Sequence, residues 1–417
     1  MPVMLSATNV AIPIVANQFS LSATQIAWIP MSYLMASVMF VLIFGSLADV
    51  FGKKKIFLVG ILVLCFSSIF VAFANSGTVL MLGRFLQGVG AAMLYATQTA
   101  LVSSVYPAKE RGKAIGITLS AVYLGLAVGP SLGGIIMEYL SWRLNFVLHL
   151  PLALIILVLL HKVPNDSESR LLEEFKFDKT GASLYMASIV LLCFGVSSLP
   201  NSNSLVLLSL FLITVALFVS HSLKHSFPIW NLRIFRNNKM LTKSCLASYM
   251  MYSATYSNVV ILSLYLQDLK QLSASQAGLI MSLQPATMAI LSSVSGKLSD
   301  VIEPRLLATL GMLIASCSLF ALSILASSDV SMYFIAVLVL VGIGFSLFSS
   351  PNTNAIMSSV AKENYGLAAS TAASTRNLGQ LSSIFLVSFS MSFIAVSYTH
   401  LRAHETDSYL VCRLLLE

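Results

Sequence analysis

Apolar residues run through this chain in blocks broken by short charged or turn-forming stretches. The blocks fall near 1–19, 26–48, 56–74, 78–105, 114–138, 144–160, 181–199, 204–221, 241–266, 275–298, 305–326, 331–358 and 366–396, thirteen in all. About 20 residues of α-helix cross a hydrocarbon layer about 30 Å thick, so each block predicts a membrane span. The fold class expected is an all-α polytopic membrane protein. No basic region precedes the first block, so no cleavable signal peptide is expected, and the late start there predicts that N-terminal turns are missing.

Composition removes whole classes of function. Of the 417 residues, 57% are hydrophobic and only 10% charged, against roughly 25% charged in soluble proteins. A soluble enzyme is excluded, and no nucleotide-binding or catalytic constellation accompanies the spans. The net charge of +8 gains meaning from its placement. Loops alternate in charge: one set carries 18 of the 24 Lys and Arg, among them Lys53, Lys54, Lys55, Lys113, Arg233 and Arg305, and the opposite set only Arg143 and Lys270. By the positive-inside rule the basic set is cytoplasmic. A multi-pass protein of the cell membrane with its N-terminus inside is therefore expected, with lipid rather than nucleic acid against its surface. The five cysteines are scattered and none forms CxxC, which supports neither a disulfide framework nor a metal site.

Two arginines, Arg84 and Arg376, fall within spans. A cation at that depth costs several kcal/mol unless it faces a polar interior, and marks a candidate functional site. The sixteen acids all fall at span edges, in loops or in the tail. No carboxylate is expected at mid-membrane.

The chain also repeats itself. Gly45-x-Leu47-x-Asp49 recurs as Gly296-x-Leu298-x-Asp300, and Gly88-Val-Gly90 with Thr99, Ser104 and Gly112 recurs at a constant offset as Gly342-Ile-Gly344 with Thr353, Ser358 and Gly366. Two homologous bundles in parallel duplication follow: 1–160 with six helices, 161–240 as loop, inserted helix pair and linker, and 241–396 with five helices. Such duplicated bundles place the binding site between the halves.

Asp49 in Gly45-Ser-Leu-Ala-Asp49-Val-Phe-Gly52-Lys53 closes a helix, where its charge opposes the negative end of the dipole. It needs a cation or another helix N-terminus, a contact able to latch two halves. Gly52 suits a tight turn. This stretch resembles the signature loop of the major facilitator superfamily, except that Val50 replaces a customary basic residue. Arg84-Phe-Leu-Gln87-Gly88 resembles that family's second motif, whose buried arginine is associated with proton coupling. Gly125-Leu-Ala-Val-Gly129-Pro130-Ser-Leu-Gly133-Gly134 resembles the signature of its antiporter branches: the proline bends the helix and the glycines admit a neighbour. Trp142-Arg143 through Pro151, and Gly342 through Asn354 with Arg376-Asn377-Leu-Gly379, resemble the 14-helix drug:proton antiporters. That resemblance implies gating and coupling roles for Gly45, Asp49, Gly52, Lys53, Arg84, Gln87, Gly88, Gly129, Pro130, Gly133, Gly134 and Arg376.

Two departures matter. Ser6 stands where this branch carries an aspartate, and His149 where it carries asparagine. Proton coupling must then use a span-edge acid such as Glu138 or Asp268, or the His149 imidazole. Neutral, lipophilic or anionic substrates gain weight over cationic ones. A cavity lined by Asn9, Tyr33, Tyr95, Gln98, His149, Tyr252, Asn258, Gln284, Asn352 and Asn354 is expected. Residues 397–417 are polar where a fourteenth span should approach and resemble adapter read-through, so a non-native tail and a missing last span are expected. The function expected is proton-coupled export of small lipophilic compounds by a monomer without cofactors. The alternatives are a proton-independent carrier of a polar metabolite and a non-transporting truncated fragment.

Overall fold

The structure, a computed structural model, describes residues 2–107, 110–160, 177–199, 202–325, 332–361 and 365–401. The described residues form helices and turns with no strand: α1 (Pro2–Gln18), α2 (Ala23–Phe51), α3 (Lys53–Ala72), α4 (Gly77–Val105), α5 (Arg111–Tyr139), α6 (Leu144–Val147), α7 (Leu150–Leu160), α8 (Lys179–Ser197), α9 (Ser202–Lys224), α10 (Arg233–Asn237), α11 (Lys239–Thr255), α12 (Asn258–Leu264) continued by a π turn (Tyr265–Leu269), α13 (Ala274–Leu298), α14 (Pro304–Leu325), α15 (Met332–Ser358) and α16 (Tyr365–Leu401). Every predicted block is helical. Among the described residues nine helices are long and apolar enough to cross a membrane. Helix α16, which is not among those nine, runs to Leu401, beyond the predicted end of its block at 396; the rest of the predicted tail, 402–417, lies outside the described residues.

Two blocks are broken, each for a physical reason. Pro151 has no N–H to give the carbonyl of Val147, and the chain is interrupted there between α6 and α7. Between α11 and α12 the backbone N–H of Ser257 turns to Ser383 Oγ of α16 at 2.9 Å, and the two hydroxyls are also 2.9 Å apart. Irregular backbone at membrane depth is tolerated when protein groups satisfy it.

The outer faces are apolar. Phe66 and Phe73 of the α3 hairpin and Phe320 of α14 are strongly exposed, an arrangement suited to lipid rather than water. Polar side chains turn inward: Ser37, Ser67, Thr97, Asn145 and Ser346 are buried. Some of these hydroxyls bond back to a carbonyl one turn earlier, as Thr97 does to Met93 at 2.7 Å, which satisfies the donor within its own helix.

The repeat is visible in the packing. α2 packs on α16 and α5 on α13, so each half contributes one helix of either kind. Gly45 of α2 abuts Ser370 of α16, and Gly296 of α13 abuts Gly116 of α5, the same contact made twice between the halves.

Of the inserted pair, α8 packs on α2 and α16 and α9 packs on α8; the pair is pinned by Asp178. Its carboxylate caps α8 through Gly181 N–H at 2.8 Å, pairs with His221 Nε2 at 2.8 Å and accepts Ile229 N–H at 3.2 Å. Burial acts to raise its pKa, but these three bonds outweigh it and hold the carboxyl below its ordinary value. A depressed carboxylate stabilises above its unfolded pKa of about 3.9 and ceases to as pH falls through the folded value. Asp178→Ala is therefore expected to lower stability at neutral pH by about 1–2 kcal/mol. The deficit should vanish in acid, as thermal unfolding in detergent at two pH values would show.

Candidate functional site

At the basic face the two halves hold each other by the ends of helices. Gly52, at φ 95°, makes the turn from α2 into α3, a conformation that favours glycine, and Lys53 opens α3. Asp49, in the last turn of α2, lies directly against Gly366 in the first turn of α16, where a Cβ would collide with the carboxylate. In the other half Asp300, just past α13, accepts Gly112 N–H at 3.1 Å and Lys113 N–H at 3.0 Å in the first turn of α5. Asn354 Nδ2 supports it at 3.4 Å and also reaches Ser299 Oγ at 3.1 Å. Helix N-termini carry unsatisfied N–H groups and partial positive charge. Each aspartate thus rests on the N-terminus of a helix belonging to the opposite half. Val50 is buried and adds no charge here.

Deeper in, Arg84 is fully buried on α4. It donates from Nη1 to Gln87 Oε1 at 2.8 Å and from Nε to Ile29 O at 3.4 Å. Gln87 Nε2 donates to Ser68 Oγ at 2.8 Å, and Ser68 Oγ lies 3.5 Å from His149 Nε2. The guanidinium also covers the Tyr33 ring at 4.7 Å, which Gly88 allows by admitting the Tyr33 carbonyl. Tyr33 and Tyr95 hydroxyls are 3.2 Å apart, and Arg376 lies 4.8 Å over the Tyr95 ring. A continuous line of contacts joins Arg84 in one half to Arg376 in the other. The partners of Arg84 are an amide, a carbonyl and an aromatic face.

The glycines of α5 serve two neighbours. Gly129 and Gly133 meet Ser6 and Ala7 of α1, while Gly134 meets Ala274 and the Pro130 carbonyl meets Gly278 of α13. Ser6 Oγ donates to Pro2 O at 3.0 Å, with Gly125 O at 3.4 Å. Ser6 Oγ lies against Gly129, where a Cβ would collide with it, and Ser6 also borders the cavity between the halves. Ser131 and Ser282 hydroxyls, 2.7 Å apart, bridge α5 to α13.

Between the halves lies a cavity of about 390 Å³. Of the predicted lining residues, Asn9, Tyr95, Gln98, His149, Tyr252, Asn258 and Gln284 face it, as does Arg376. Three others lie elsewhere. Tyr33 is buried beneath Arg84. Asn352 donates to Ser244 O at 3.0 Å and Ser248 Oγ at 2.8 Å, beside a small crevice that also touches Arg376. Asn354 belongs to the Asp300 contact. Tyr123, Tyr256, Tyr265 and Gln380 line the cavity without having been predicted; their signal was a polar or aromatic side chain on a helix face whose direction only packing fixes. Among the described residues no carboxylate lines the cavity; Glu138, in the last turn of α5, is not among its walls, and the Asp268 side chain lies outside the described residues.

Residues 2–398 match the Major Facilitator Superfamily. The riboflavin transporter RibZ of Clostridioides difficile (strain 630) is 30% identical over 97% of this chain and 88% of its own length. The multidrug resistance protein Stp of Mycobacterium tuberculosis (strain CDC 1551 / Oshkosh) is 29% identical over 89% of this chain and 70% of its own. In fold, the partially occluded inward-open xylose transporter XylE of E. coli aligns with a TM-score of 0.63 at 13% identity, over 93% of this chain and 90% of that one. Matched along its length in sequence and in architecture, the chain belongs to the major facilitator superfamily, and its helices form a membrane transport protein rather than an enzyme.

Proposed function

We propose that the protein exports small lipophilic compounds by alternating access, driven by proton entry, with the basic face cytoplasmic. The observation that carries this reading is the mainly apolar cavity between the halves, with reciprocal aspartate contacts at the basic face. Breaking those contacts frees one face; the α5–α13 seam at Ser131 and Ser282 offers the corresponding closure on the other. Apolar and aromatic walls hold lipophilic molecules without strict geometry, and Stp, a relative, is named for multidrug resistance.

Among the described residues of the cavity wall the titratable side chain near neutral pH is His149, and we place coupling there. Its ring faces the cavity and reaches Arg84 through Ser68 and Gln87, a path along which a change of charge on the imidazole is felt at the halves' internal contacts. His149→Asn keeps a hydrogen-bonding side chain but not the titration. Dye flux by this variant is expected to persist while its stimulation by an imposed pH gradient disappears; a fully retained gradient response would assign coupling to another group.

A second reading, proton-independent carriage of a polar metabolite, is favoured by the lack of a carboxylate among the described residues of the cavity wall and by the relative named for riboflavin. Proteoliposomes loaded with a pH-sensitive dye separate the two. Export predicts proton movement evoked by a neutral lipophilic dye. Riboflavin flux indifferent to the gradient, without dye flux, would replace the first reading by the second.

A further inference from the structure

We propose that Arg376 anchors the negatively charged head of an aromatic substrate, so that the favoured cargo is an amphipathic organic monoanion. The inference rests on the export reading above and names the substrate class of that same cavity.

Among the described residues lining the cavity, Arg376 is the one lysine or arginine, and none is an aspartate or glutamate. It lies in α16 eleven residues beyond Tyr365, about 17 Å along the helix axis at 1.5 Å per residue, and so near the middle of a membrane about 30 Å thick. A guanidinium at that depth needs a partner. Among the described residues its partner is the Tyr95 ring, whose centroid lies 4.8 Å from the guanidinium carbon, and it makes no hydrogen bond or ion pair. A contact with a ring spends no N–H group in a hydrogen bond to oxygen. That planar fork matches a carboxylate, sulfonate or phosphate, which it binds through two parallel hydrogen bonds.

The contrast with Arg84 sharpens the assignment. Arg84 is fully buried, spends donors on Gln87 and Ile29, and does not line the cavity. Arg376 is half-buried and faces open space. It is also held in place, because Tyr95 is fixed through its hydroxyl to Tyr33, whose ring lies under Arg84. Close by stand Tyr252 and Phe345, edge to face at 5.2 Å, with Tyr123 against Phe345 at 6.1 Å. These rings offer a slot for a flat apolar body beside an anion-binding fork. A cation placed there would meet Arg376, with no acid among the described lining residues to offset the repulsion.

The test uses three fluorescent probes of one shape: 9-anthracenecarboxylate, its neutral amide and 9-anthracenylmethylammonium. Binding to the purified full chain in nanodiscs is expected in that order. The carboxylate should bind roughly 10- to 100-fold tighter than the amide, the range for a hydrogen bond to a charged group. Arg376→Gln should erase the advantage of the carboxylate over the amide, and an unshifted melting temperature shows that the variant is folded. Arg376→Lys should keep part of it, with charge but without the fork. Equal binding of carboxylate and amide, no carboxylate binding, or an unchanged preference in Arg376→Gln would overturn the proposal. Flux of the same probes separates this from the export reading. If the amide is exported with no preference for the anion, the anchor fails and export stands; if the carboxylate binds with the expected Arg376 dependence yet no probe moves, export fails and the anchor stands.

Discussion

Neutralising both interlobe aspartates, Asp49→Asn with Asp300→Asn, is expected to shift the protein from its latched form to one open at the basic face by about 100-fold. Each aspartate lies on a helix N-terminus of the opposite half, Asp300 accepting Gly112 and Lys113 N–H and Asp49 lying on Gly366. A charge so placed contributes up to about 2 kcal/mol in partly buried geometry, so each single change should move the equilibrium about tenfold. Asparagine keeps a carbonyl acceptor of nearly the same shape, and the difference reports the charge. Spin labels at Lys55 and Glu303, exposed residues of opposite halves at the basic face, would give a short, narrow distance in the parent. The double variant should show a longer, broader one. Because alternating access requires both states, its transport should fall as well. An unchanged distance distribution would show that the latches are not what holds this face.

The second large effect is expected from Arg84→Ala. Arg84 is among the largest fully buried side chains, and its removal leaves Gln87 Oε1 without its donor, takes one donor from Ile29 O, which keeps Ser32 Oγ at 3.3 Å, and takes the cation from the Tyr33 ring. Lost hydrogen bonds and a poorly filled cavity together cost about 3–5 kcal/mol. The variant should unfold several degrees below the parent in detergent and lose flux. Arg84→Lys should fall between them, retaining charge without the planar contact to Tyr33. Parental melting and flux in Arg84→Ala would show that the line from Arg84 to Arg376 carries neither stability nor function.

The helices were legible because lipid imposes one rule on every span, and thirteen apolar blocks became helices with ends displaced by only a few residues. The interruption before Pro151 follows from the proline itself. The one at Ser257 does not, since its backbone is satisfied by Ser383 from another helix, a partner visible only after folding. Asp49 was legible as a charge at the wrong end of its helix, needing a helix N-terminus nearby, and the repeat paired it with Asp300. That the pairing is crossed, each acid resting on the other half, is a tertiary fact. The cavity was the least legible part. Tyr33 and Tyr95 sit on neighbouring helices and touch through their hydroxyls, yet only Tyr95 reaches the open space. A rotation of one residue, about 100° on a helix, decides which side chain faces substrate.

The central claim is that the two halves must move against each other around the cavity. Ser131 and Ser282, whose hydroxyls lie 2.7 Å apart across α5 and α13, provide the pair to lock them: Ser131→Cys with Ser282→Cys in a background cleared of the native cysteines. Oxidation is expected to abolish transport in proteoliposomes and reduction to restore it; turnover undiminished by the crosslink would contradict the account.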